Sequence, residues 1–147
     1  MGGAPIWFEF IETPVFTKRL NAAASREVLF AIQADLLEDP NRWPVIRGTH
    51  GARKGRVADP TKARGKSGSF RYLYMYLAHL QQIYLILLFG KDEQDNLSPE
   101  QTKPVASLVD AIRSEGKSYE HSENKKIDRI YEQRDLCGSK GITRPGA

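Results

Sequence analysis

RGTHGARKGRVADPTKARGKSGSFRYLYMY, residues 47–76, is the stretch on which the reading of this chain turns. It holds eight cations (Arg47, Arg53, Lys54, Arg56, Lys62, Arg64, Lys66 and Arg71) and one acid, Asp59. Side chains on a strand alternate between faces. A strand over residues 52–58 therefore sends Lys54 and Arg56 one way, and Arg53, Gly55 and Val57 the other. A second strand over 69–77 groups Arg71 with Leu73 and Met75 and sets Phe70, Tyr72, Tyr74 and Tyr76 opposite. Between them, ADPTKARGKSGS (58–69) has the Pro, Gly and Ser punctuation of a loop. The two strands read as a hairpin with a cationic connecting loop, and Lys54, Arg56 and Arg71 are expected to converge where they can grip a phosphate backbone.

Upstream, IWFEFI (6–11) is short, aromatic and β-branched, as suits a first strand. Thr13 is a side-chain cap with Pro14 in the first helical position, opening a short helix to about Leu20. Ser25 is the next cap candidate. Val28, Ile32 and Leu36, flanked by Leu29 and Leu37, form the apolar stripe of a helix that stops at Asp39-Pro40. Downstream, QIYLILLF (82–89) is a nearly continuous apolar run, expected of a strand covered on both faces. Ser98-Pro99-Glu100-Gln101 is a capping box, and Val105, Leu108, Val109 and Ile112 are the buried stripe of a last helix ending at Gly116. Pro104 lies inside that helix and predicts a kink there or a restart at Thr102. The order β, α, α, β, β, β, α predicts an α+β domain over residues 1–116. Its four-stranded sheet is expected to be mostly antiparallel, with the two N-terminal helices and the C-terminal helix on one face. From Lys117 the chain turns polar. Ile127, Ile130 and Tyr131 mark a short helix in an extension over 117–147 that ends in a flexible tail.

The net charge of the 147 residues is only +4, but its distribution is uneven: −2 over residues 1–44, +7 over 45–76 and −1 over 77–147. Such local concentration suggests nucleic acid or an acidic protein as partner. No run approaches the ~18 apolar residues of a membrane span, and the start lacks the pattern of a secretion signal, so a cytoplasmic location and no membrane partner are expected. Cys137 is the single cysteine, and His50, His79 and His121 lie far apart without ligand spacing; no metal and no cofactor are expected.

Five fragments, TPVFTK, IRGTHGARKGRVA, RGKSGS running into FRYLYMY, YLILLFGK and DNLSPEQ, taken together over about residues 6–115, resemble the RelE/ParE superfamily of toxin–antitoxin toxins, most closely its HigB branch. The resemblance implies a RelE-like fold and a toxin that enters the ribosomal A site and cuts messenger RNA. It also implies a monomer when free, held inactive in a hetero-oligomer by a cognate antitoxin, often of helix-turn-helix type. In cutting members, cations on the second strand, an arginine on the third and groups at the end of the fourth contact the RNA. By position these are Lys54 and Arg56, Arg71, and Lys91. Lys62, Arg64 and Lys66 match the family's basic loop, which would grip ribosomal RNA, with Arg53 and the ring of Tyr74 as further RNA contacts. Gly55 departs from the family's larger aliphatic, and a thin core or a deeper groove is expected under it. Leu97 stands nearest to the tyrosine that several RelE members use.

The chemistry implied is attack of a ribose 2′-hydroxyl on its own phosphate, which consumes neither water nor metal. Negative charge builds on the phosphorane oxygens, so fixed cations stabilise the transition state more than the ground state. Arg56 and Arg71 fit that role through their guanidinium forks, and Lys54 is the candidate base. The ParE-type alternative is inhibition of DNA gyrase without nuclease activity. A third possibility is an inactive relative that binds RNA or protein.

Overall fold

The computed structural model describes residues 8–61, 69–90 and 96–116. Strand β1 (Glu9–Glu12) leads into helices α1 (Pro14–Ala23) and α2 (Arg26–Glu38). Strands β2 (Arg53–Ala58), β3 (Ser69–Leu77) and β4 (Gln82–Gly90) come next, and helix α3 (Pro99–Glu115) closes the described chain. The proposed extension over 117–147 lies outside the described residues. The sheet order is β1-β4-β3-β2.

Two corrections to the sequence reading concern the sheet and its cover. The sheet is mixed: β2–β3 and β3–β4 are antiparallel, but β1 pairs with β4 in parallel, Glu9 opposite Gln82 through Glu12 opposite Leu85. Short connections force neighbouring strands to be antiparallel. β1 reaches β4 only across most of the chain, so no hairpin sets its direction. The helices also lie on both faces. Phe70, Tyr72 and Tyr74 join a core with Phe16 and Leu20 of α1 and Val28, Ile32 and Leu36 of α2. Leu73, Met75 and Leu77 join one with Val105, Leu108, Val109 and Ile112 of α3. β3 is apolar on both sides, and each side needs its own cover.

A β-bulge locks α1 to the sheet. Leu73 pairs with Leu87 and Tyr74 with Leu85, so Ile86 is an extra residue on β4, and Ile86 and Leu87 both fall on the α3 side. Thr13 fits this irregularity. Its N–H donates to Leu85 O (3.0 Å), its hydroxyl donates to Ile86 O (2.8 Å), and the same oxygen caps α1 by accepting from Phe16 N (3.0 Å). Further along the same edge, Arg19 Nε donates to Leu88 O (2.5 Å), satisfying a strand carbonyl beyond the end of β1. Thr13→Ala removes the cap and one bulge hydrogen bond at a fully buried position. It is expected to lower unfolding free energy by about 1–2 kcal/mol, read by urea denaturation.

Local expectations at the other helix ends divide. Ser98 forms the full capping box with Gln101. Ser25 stands at the N-cap of α2 but makes no side-chain cap; its hydroxyl donates to Asp59 Oδ1 (3.2 Å), which also accepts from Thr61 N and Oγ1. α3 runs unbroken from Pro99 through Pro104 for 17 residues, so it does not restart at Thr102.

Candidate functional site

Register decides which cations share a face. On β2, Gly55 lies opposite Tyr72 and Val57 opposite Phe70, and these face the α1/α2 side. Lys54 and Arg56 alternate to the α3 side, where Arg56 sits directly opposite Arg71 and Lys54 opposite Leu73. The three cations named from the sequence are therefore neighbours on one face, at the β2 and β3 end of the sheet. Arg56 is exposed, Lys54 half-buried, and Arg71 only 7% exposed. Like charges directly opposite on paired strands repel, and an anion between two guanidinium groups turns that repulsion into attraction.

Lys54 is held from the far side of the site. Its ammonium donates to Asn96 Oδ1 at 2.6 Å, a residue brought there by the segment that enters α3. Leu97 next to it packs on the α3-side core.

Other residues named from the sequence lie elsewhere. Arg53 points to the α1/α2 face and its Nη1 donates to Trp43 O (2.6 Å) and Asn41 O (3.2 Å), tying the chain before β2 to the sheet. Tyr74 is 0% exposed and its hydroxyl donates to Pro40 O (2.7 Å), so its ring is core and offers no face to a base. Lys62, Arg64, Lys66 and Lys91 lie outside the described residues. His50 is in the left-handed region (φ 65°), its Nδ1 about 3.0 Å from Asp110 Oδ2 on α3, and its carbonyl accepts from Arg113 Nη1. Among the described residues, no three His, Cys, Asp or Glu side chains gather closely enough to hold a metal ion. None of their helices is long and apolar enough to cross a membrane.

Beneath the strand that carries the cations lies a tyrosine network. Tyr72 donates to Asp35 Oδ2 (3.2 Å), and Asp35 also accepts from Trp43 Nε1 (2.8 Å) and pairs with Arg42. Burial, then the Asp35 charge, raises the Tyr72 hydroxyl far above the usual tyrosine range. Burial likewise pushes Tyr74 up to about 12. The folded state thus holds both protons more tightly than the unfolded chain does. The stability this contributes is complete below pH ~10 and is lost as pH climbs from there, through about 12 for Tyr74 and further still for Tyr72. In an alkaline titration monitored by tyrosinate absorbance, both rings should ionise only as the protein unfolds, and Tyr74→Phe should make the decline of stability with pH shallower.

No family model matches the chain. Asn96 is the site residue that sequence reasoning misses. Its only trace in the sequence is its place in DNLSPEQ, just before the capping box.

Proposed function

We propose that this chain is the toxin of a toxin–antitoxin pair, of the RelE/ParE type and nearest its HigB branch, which cuts messenger RNA on the ribosome. The observation that carries the reading is the placing of Arg56 directly opposite Arg71, with Lys54 two residues along on the same face. In the proposed reaction the 2′-oxygen attacks the adjacent phosphorus, the bond to the 5′-oxygen breaks, and a cyclic phosphate and a 5′-hydroxyl result. Lys54 takes the 2′-hydroxyl proton, and the departing 5′-oxygen takes one from solvent water. Exposed Arg56 meets the phosphate first, and Arg71 supplies a second, less hydrated charge behind it, where water screens it less. On sequence alone, Lys91 joins this set, and Lys62, Arg64 and Lys66 hold ribosomal RNA. The cognate antitoxin would act by covering the cationic face and excluding RNA through mass action.

Brief expression of the full chain in a bacterium, with mapping of message 5′ ends, tests the proposal. New ends within translated regions are expected together with growth arrest. Intact message with DNA damage would instead favour the gyrase-inhibitor reading, and unimpeded growth an inactive binding protein.

A further inference from the structure

We infer that Asn96 is a positioning residue for Lys54, a role that rests on the RNA-cutting reading above and deepens it. The contact is a 2.6 Å hydrogen bond from Nζ to the amide oxygen, between residues 42 apart in the chain. Both ends of it are anchored. Lys54 sits on β2 between Arg53, tied to Trp43 O, and Gly55, roofed by Tyr72, and its own N–H donates to Pro44 O (3.2 Å). Asn96 is held through the residues on its C-terminal side: Leu97 is packed on the core, Ser98 N donates to Gln101 Oε1 (2.9 Å), Gln101 N donates to Ser98 Oγ (3.3 Å), and Thr102 Oγ1 donates to Ser98 O (2.9 Å). The start of α3 thus serves as a bracket that holds an amide oxygen at a fixed place over β2. A lysine side chain has four rotatable bonds, and one fixed acceptor removes much of that freedom before RNA arrives. The acceptor is an amide, which directs the nitrogen without itself placing a negative charge beside it. A carboxylate in the same place would form an ion pair and hold the lysine protonated.

That difference gives the test. Asn96→Asp keeps the shape and changes only the charge of the acceptor, while Asn96→Ala removes it. Message cutting by translating ribosomes would be measured with the full chain across a pH series for wild type and both variants. Asn96→Ala is expected to lower kcat roughly ten-fold, the rate equivalent of one charge-assisted hydrogen bond, with KM little changed. Asn96→Asp should move the rising limb of the pH profile to higher pH, a shift that a purely structural asparagine would not produce. A second readout needs no activity: in lysine-labelled NMR, a slowly exchanging ammonium signal that Lys54→Arg abolishes should also be lost in Asn96→Ala. Survival of that signal in Asn96→Ala, or cutting profiles in both variants that match wild type, overturns the role of Asn96 and leaves the nuclease reading standing. A wild-type chain that cuts nothing at any pH overturns the nuclease reading itself, and the positioning role falls with it.

Discussion

Arg56→Ala is expected to fold as the wild type does and to cut message on translating ribosomes 10²- to 10³-fold more slowly, a loss on the order of that seen when one preorganised oxyanion donor is removed. The side chain is exposed and its neighbours on β2 are held by contacts in which it has no part, so the thermal midpoint should barely move. Arg56→Lys separates the two properties of the guanidinium. It keeps the charge and loses the fork, so partial activity is expected, below wild type and above alanine. Arg71→Ala should be more severe in both respects, because a position only 7% exposed also supports the strand pair. A melting curve beside each activity measurement distinguishes lost chemistry from lost fold.

Gly55→Val is expected to destabilise the protein by roughly 3 kcal/mol or more, at or beyond the upper end of the usual cost of overpacking a core. A Cβ at this position would stand 2.4 Å from Cζ and 2.6 Å from the hydroxyl oxygen of Tyr72. The tyrosine crosses directly over the glycine from the opposite strand, so the expected groove does not form: the ring occupies the space of the missing side chain. Making room means moving a fully buried ring and breaking its hydrogen bond to Asp35. Tyr72→Ala in the Gly55→Val background should recover little, since it replaces the clash with a cavity. Urea denaturation of the two single variants and the double measures the coupling between them.

Much of the strand and helix content is legible because local chemistry and global fold agree. Thr13-Pro14 and Ser98-Pro99 announce helix starts by donor bookkeeping alone, and QIYLILLF reads as an interior strand, which β4 is. The alternation of β3 also groups Arg71 with Leu73 and away from the tyrosines, as the structure has it. What the sequence conceals is long-range. The parallel pairing of β1 with β4 depends on a crossover that leaves no mark at either strand. The location of α3 on the second face depends on which side of β3 α1 and α2 had already covered. The bulge at Ile86 cannot be read from a run in which every residue from Ile83 to Phe89 is hydrophobic. At the site, face-sharing between Lys54 and Arg56 comes from a two-residue spacing and is visible in advance. The pairing of Arg56 with Arg71 requires the hairpin register. The Lys54–Asn96 contact requires the whole sheet, since nothing in an asparagine before a capping box points to a lysine on the edge strand.

The claim that Lys54 and Arg56 form one phosphate-handling site with Arg71 is tested most directly by adding the purified full chain to translating ribosomes and mapping message 5′ ends, beside the Lys54→Ala/Arg56→Ala double variant. Both substituted side chains reach solvent, so the variant should remain folded. The account predicts new ends with the wild-type chain and none above background with the folded double variant. Equal cutting by the two proteins would contradict it.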